Sequence, residues 1–186
     1  ILVVPPGHEE RCQREILHPF GLSADAVVPG GADRQASVYA GLLQVSAATD
    51  LVLVHDGARP FITPDVILAV VAAAAEVGAA VVAVPVTDTI KVVDANGWLV
   101  ETPQRGRLWA AQTPQVFWAA LLREAHACAL RDGFRSTDDA ALVERLGHPV
   151  RLVPGSPENL KITTPADLAL ADQILRARES EAGRGR

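Results

Sequence analysis

Methionine is absent from this chain of 186 residues and lysine nearly so, since 15 of the 17 basic residues are arginine and the lysines are Lys91 and Lys161 alone. A chain without methionine is no unprocessed translation product, so a segment is expected ahead of Ile1. The two cysteines, Cys12 and Cys128, lie far apart with no CxxC or Cys/His cluster, which excludes a disulfide framework and a zinc site. They read as reduced thiols of a cytoplasmic protein. No block of Lys and Arg exists and the net charge is -5, so a nucleic-acid footprint is excluded. The longest apolar stretch, Val66 to Val86, is interrupted by Glu76, Gly78 and Pro85 and flanked by Asp65 and Asp88. It reads as a helix followed by a buried strand, not as a membrane span. His8, His18, His55, His126 and His148 show neither HExxH nor triad-like spacing, and no Gly-x-Ser-x-Gly elbow is present, which disfavours serine hydrolysis.

What remains is 49% apolar, the composition of one globular domain whose core buries ~70% of the unfolded surface. Short β-branched runs alternate with helical patterns, which predicts an α/β fold around a mainly parallel sheet. Strands are expected at Ile1 to Val4, Ala26 to Val28, Leu51 to His55, Ala80 to Val84 and Val150 to Val153. Pro5, Pro29, Pro85 and Pro154 follow four of them and lack the N–H that a ladder needs, so each marks a strand's exit from the sheet. Helices are expected at Glu9 to Leu17, Arg34 to Ser46, Trp118 to Arg131 and Thr137 to Leu146, and after the caps Thr63-Pro64-Asp65 and Thr164-Pro165-Ala166-Asp167. Asp94-Ala95-Asn96-Gly97 joins Ile90 to Val93 with Trp98 to Glu101 as a β-hairpin, which is marginal alone and needs the domain or a second copy as support. The second of these predicts a symmetric dimer. Gly183 to Arg186 reads as a frayed tail.

Ligands of doubly wound sheets bind at the carboxyl ends of strands. Leu51-Val52-Leu53-Val54-His55-Asp56-Gly57-Ala58-Arg59 delivers a carboxylate suited to Mg²⁺ there, with an arginine three residues on for a phosphate. The plain alternative is a turn with a surface ion pair, and His55 reads as a hydrogen-bonding residue at the strand end. Pro29-Gly30-Gly31-Ala32-Asp33-Arg34-Gln35-Ala36-Ser37 is a glycine turn feeding a helix N-terminus, open to polar or anionic ligand atoms, and is neither GxGxxG nor GxxxxGK[ST]. Lys161 is a better candidate phosphate ligand than Lys91, which reads as a solvated lysine. Arg105 and Arg107 precede Leu108 to Gln115, expected to be a polar loop returning the hairpin to the sheet.

Six segments, Gly30 to Val38, His55 to Pro60, Pro85 to Lys91, Gln112 to Phe117, Thr137 to Ala140 and Asn159 to Thr163, stand in the order seen in the 2-C-methyl-D-erythritol 4-phosphate cytidylyltransferase family, which the chain resembles from Ile1 to about Arg178. The resemblance implies a Rossmann-like, doubly wound, mostly parallel sheet with a protruding hairpin arm, about residues 86–108, that joins a homodimer. It implies a single domain over residues 1–178 with a flexible tail over 179–186. It further implies transfer of the cytidylyl group of CTP to methylerythritol phosphate, with Mg²⁺, in non-mevalonate isoprenoid synthesis. Asp56 would hold Mg²⁺; Gly31, Ala32 and Ser37 would line the cytosine pocket; Lys161 would contact phosphates. Arg59, Thr113 and Thr137 would seat the sugar phosphate, with Thr89 and Arg105 reaching in from the partner subunit.

The family opens with a strand and a glycine-rich loop whose Arg and Lys stabilise the triphosphate. The resemblance begins after them, so the chain by itself is expected to bind nucleotide weakly and turn over slowly. Ala32 stands where some relatives carry an acid, with a modest effect expected. Two rival readings are a ribitol-5-phosphate cytidylyltransferase and a truncated, non-catalytic dimerising module. Arg105 before Leu108-Trp109 favours the methylerythritol substrate.

Overall fold

The computed structural model describes residues 1–184, with side chains through residue 180. The element order is β1 (Leu2–Val4), α1 (Glu9–Cys12, continued by a π-helical turn Gln13–Leu17), β2 (Val27–Pro29), α2 (Arg34–Leu42), β3 (Leu51–Val54), α3 (Pro64–Val77) and β4 (Ala79–Pro85). The hairpin strands β5 (Val92–Val93) and β6 (Leu99–Glu101) follow, then β7 (Trp109–Trp118), α4 (Ala119–Asp132), α5 (Ala140–Arg145), β8 (Arg151–Pro154) and α6 (Pro165–Arg184). The fold is α/β. The central sheet has the order β3-β7-β4-β8, in which β3, β4 and β8 run one way and β7 against them; β1 and β2 form a separate parallel pair.

Strand β4 shows why the continuous apolar runs become strands. Ala79 and Val81 point to one face, where they meet Phe117, Leu122 and Leu142 below α4 and α5. Ala80 and Val82 point to the other, against Val70 and Ala74 of α3. Alternate residues therefore need apolar partners on both sides, as a sheet layered between helices requires. Val82 and Val70 are wholly buried, and each such side chain contributes about 1.5–3 kcal/mol of burial. The membrane-span alternative for residues 66–86 gives way to α3 followed by β4. Among the described residues no helix is long and apolar enough to cross a membrane. Pro29, Pro85 and Pro154 are the last residues of β2, β4 and β8, and Pro5 follows β1 directly.

The loop expected over Leu108 to Gln115 is instead the start of β7, a central strand. Its polar residues are buried because other parts of the chain satisfy them. Gln112 Nε2 donates to the Ser156 carbonyl at 2.9 Å, and Gln115 Oε1 accepts from the backbone N–H groups of Asp139 and Ala140, each at 3.1 Å. Pro114 fits a central strand because the ladder bulges there, the pairing passing from Val81 with Gln115 to Ala83 with Ala111. The peptide Thr113–Pro114 is cis.

The hairpin forms as expected, with Gly97 at φ +84° and Asp94 Oδ1 accepting from Asn96 N and Trp98 N, both at 2.9 Å. Val93, Trp98, Leu99 and Val100 on it are exposed. The Thr63 side chain makes no cap bond, although Pro64 opens α3 as expected. At α6, Asp167 reaches back instead, its carboxylate accepting from Thr163 N at 2.9 Å and Thr164 N at 2.7 Å, which pulls it down to about 2. The expected tail from 179 onward is helical through Arg184, in keeping with the helix-forming Arg178, Glu179, Glu181 and Ala182. Residues 185 and 186 of that tail lie outside the described residues. Helices α2 and α5 are shorter than expected, ending at Leu42 and starting at Ala140.

Candidate functional site

Strand β3 ends at Val54 and releases His55 and Asp56 at its carboxyl end. The backbone here is set by a hydroxyl and a ring. Thr113 Oγ1 accepts from Asp56 N at 3.0 Å and donates to His55 Nδ1 at 3.1 Å, which leaves His55 Nε2–H to donate to the Arg59 carbonyl at 3.0 Å. The expectation that His55 is a strand-end hydrogen-bonding residue holds. Thr113 lies within the irregular stretch of β7, where the ladder with β4 shifts register.

The Asp56 carboxylate lies among three cations. Arg34 Nε donates to Oδ1 at 3.2 Å; Lys161 Nζ is 2.9 Å from Oδ2 and Arg59 Nε 4.0 Å from it. Burial alone would push the Asp56 carboxyl up, but the Lys161 hydrogen bond and the Arg34 charge outweigh it and hold the group below the usual carboxylate range. Burial in turn pushes the Arg59 guanidinium down, with the nearby Arg34 charge acting in the same direction against Asp56. The loop carrying Lys161 is tied to the Asp56 loop through Ile162 N to the Ala58 carbonyl at 2.8 Å. Arg59 Nη1 reaches the Asn159 carbonyl at 2.7 Å, and Asn159 Nδ2 donates to the Thr113 carbonyl at 2.8 Å. Arg59 Nε is buried without a hydrogen-bond partner among the described residues.

The glycine turn faces the same crevice. Gly31 N donates to Ser37 Oγ at 3.1 Å, and Ser37 Oγ donates to the Asp33 carbonyl at 2.8 Å. A Cβ on Gly31 would lie 2.4 Å from Ala36 Cβ, so glycine is required for closeness of the turn to the first turn of α2. Asp33 caps that helix, its carboxylate accepting from Ala36 N at 2.7 Å. A cavity of about 750 Å³ bounded by Val4, Gly31, Ser37, Val54 and Asp56 runs between β1 and β3 over α2. Among the described residues, β1 and β3 each keep one edge without a strand partner, and both border this cavity.

Asp56, Arg59, Thr113 and Lys161 therefore come together, and of these Asp56 shares the cavity wall with Gly31 and Ser37. Ala32 sits in the turn but does not line the cavity. Thr137 lies apart, in an open depression with Asp33, Arg135 and Ser136, where Arg135 pairs with Asp33. Arg105 donates to the Thr87 carbonyl at 3.0 Å at the base of the hairpin, and among the described residues no hydrogen bond or ion pair joins Thr89 or Arg105 to Asp56. Lys91 bonds Thr102 Oγ1 at 2.9 Å on the exposed arm, as the plain reading expects. Sequence reasoning missed Arg34, whose Nε meets Asp56 Oδ1 at 3.2 Å and whose Nη1 donates to Asp139 Oδ2 at 2.8 Å. No local signal announces the contact with Asp139, since the two residues lie 105 apart.

Comparison with known proteins bears on the family and the fold. The family model described as 2-C-methyl-D-erythritol 4-phosphate cytidylyltransferase matches residues 1–177. A protein of that name from Desulforamulus reducens is 50% identical over 179 residues, covering 96% of this chain and 76% of the relative. The crystal structure of the Thermus thermophilus protein of the same name superposes with a TM-score of 0.80 at 44% identity, covering 94% of this chain and 80% of that one. The 4-diphosphocytidyl-2C-methyl-D-erythritol synthase of Anaerococcus prevotii gives a TM-score of 0.85 at 31% identity, covering 94% and 77%.

Proposed function

Because the chain belongs to the 2-C-methyl-D-erythritol 4-phosphate cytidylyltransferase family, we propose that it joins CTP to 2-C-methyl-D-erythritol 4-phosphate at the crevice around Asp56. A phosphate oxygen of the sugar attacks the α-phosphorus of CTP, the bond from that phosphorus to the β-phosphate bridge breaks, and pyrophosphate leaves. The observation that carries this reading is the Lys161–Asp56 pair at 2.9 Å, which sets a phosphate-binding cation beside a carboxylate at the end of β3.

The donor set fits Mg²⁺. Among the described residues no cluster of three or more His, Cys, Asp or Glu exists, and Mg²⁺ asks for none, taking one or two carboxylates with waters and substrate phosphates. Asp56, ionised and mostly buried, would hold it. Bound there, Mg²⁺ neutralises phosphate charge and orients the triphosphate. The protein's own groups do the remaining work of positioning. Lys161, 41% exposed, has room to turn from Asp56 towards a phosphate. Arg59 offers its unpartnered Nε; Gly31 and Ser37 present backbone and hydroxyl groups to the cytosine; Thr113, which holds His55 and Asp56, seats the sugar phosphate, whereas Ala32 and Thr137 stand off the cavity. Thr89 and Arg105 act in the partner subunit's site, since the exposed apolar hairpin is the arm of a cytoplasmic homodimer.

The test is incubation with labelled CTP, Mg²⁺ and each sugar phosphate. Slow formation of the CDP-linked methylerythritol, lost with EDTA, is expected. Preference for ribitol 5-phosphate would replace the substrate assignment. Absence of any Mg²⁺-dependent heat with CTP in calorimetry, together with no product, would overturn the enzyme reading.

A further inference from the structure

The side chains behind Asp56 form a chain of alternating charge that runs into the core. Asp139 Oδ2 accepts from Arg34 Nη1 at 2.8 Å, Asp139 Oδ1 accepts from His126 Nε2 at 3.0 Å, and the Tyr39 ring stacks on His126 at 5.8 Å. Asp139 and His126 are essentially excluded from solvent. Their backbone setting is fixed as well, since the N–H of Asp139 is held by Gln115 Oε1. A buried pair of this kind is a weak source of stability, because desolvation offsets the attraction.

We propose that Arg34 is a positioning residue for Asp56, and that Asp139, backed by His126, is what fixes Arg34; the proposal rests on reading Asp56 as the cation's ligand. The guanidinium is a rigid planar fork, so seating Nη1 on a buried, immobile carboxylate dictates where Nε points. Nε points at Asp56 Oδ1 at 3.2 Å. One oxygen of Asp56 is thereby tethered from behind, and Oδ2 is turned towards the crevice, where its partner is the half-exposed Lys161. The terminal torsion of an aspartate is broad and two-fold. Without the tether both oxygens are available to Lys161 and Arg59, and the carboxylate has no preferred face. Asp139 and His126 are shut off from the cavity and act through Arg34 and Asp56, while Arg34 itself lines the cavity beside Asp56. Supporting groups behind a ligand set the ligand's orientation and hence the affinity for the ion.

The test compares wild type, Asp139→Asn, Arg34→Lys and His126→Gln in the full chain. It reads the exchange of the Arg34 Nε–H with water by ¹⁵N NMR, Mn²⁺ affinity in the presence of CTP by electron paramagnetic resonance, and Tm. Asp139→Asn is expected to speed Arg34 exchange and weaken Mn²⁺ about 10-fold or more. Arg34→Lys, which keeps the charge and loses the fork, is expected to weaken it equally, and it keeps the test decisive should Asp139→Asn not fold. His126→Gln keeps a donor for Asp139 and is expected to stay near wild type. Unchanged Mn²⁺ affinity in Asp139→Asn or Arg34→Lys overturns the proposal. Wild type that takes no Mn²⁺ with CTP overturns instead the ligand role of Asp56.

Discussion

Replacing Asp56 by Asn removes the anion that Arg34, Lys161 and Arg59 share, and the cost is calculable from the contacts. A hydrogen bond to a charged group contributes ~1.5–3 kcal/mol net, and the Arg34 contact at 3.2 Å lies between side chains that are 25% and 15% exposed. The Lys161 contact at 2.9 Å involves an amino group on a side chain 41% exposed, so it counts as a surface pair of ~0–1 kcal/mol. The loss at neutral pH is then about 1.5–4 kcal/mol, or roughly 3–16 °C in Tm for a chain of this size. The folded carboxyl lies below its usual range, so its stabilisation is complete above the unfolded value of ~3.9 and disappears as pH falls through the folded value. Urea or thermal melts of both proteins at pH 7 and in steps below pH 4 check this. An Asn variant as stable as wild type at pH 7, or a gap that persists undiminished in acid, would refute the reasoning.

Gly31→Ala places a Cβ 2.4 Å from Ala36 Cβ; ~1–3 kcal/mol of overpacking should appear as a lower Tm together with at least a several-fold weaker CTP affinity by calorimetry. Asp167→Asn should lower Tm at neutral pH, and the difference should close between pH ~4 and about 2, because the carboxyl is held at about 2 by the Thr163 and Thr164 N–H groups. Circular dichroism melts decide it. Trp98→Asp on the exposed arm should shift sedimentation from dimer to monomer with little change in monomer melting, and an unaltered dimer would assign the interface elsewhere. Leu142→Ala, at a fully buried position, should cost ~2–5 kcal/mol in denaturant melts.

Much of this was written in local sequence. β4 reads as a strand because Ala79 to Ala83 must be apolar on both faces, and α3 and α6 start at Pro64 and Pro165 after threonine. Asp56 was legible because an apolar run empties into it. β7 was not, since Gln112, Thr113, Pro114 and Gln115 look like a loop until partners up to 58 residues away accept and supply their hydrogen bonds. Its two apolar ends, Trp109 to Ala111 and Val116 to Trp118, were the available signal. The Arg34–Asp139 contact joins residues 105 apart, and nothing in local spacing encodes a pairing that exists only once the sheet brings α2 and α5 together.

The position of β7 has a consequence for how the molecule is born. Both of its neighbours, β3 and β4, leave the ribosome first, yet neither touches the other in the finished sheet. Until residue 118 emerges, the nascent domain holds two half-assembled blocks with a gap at their middle, and the returning limb of the hairpin is the wedge that closes it. Synthesis that stalls between residues 85 and 118 should leave a species with open strand edges and a strong claim on chaperones.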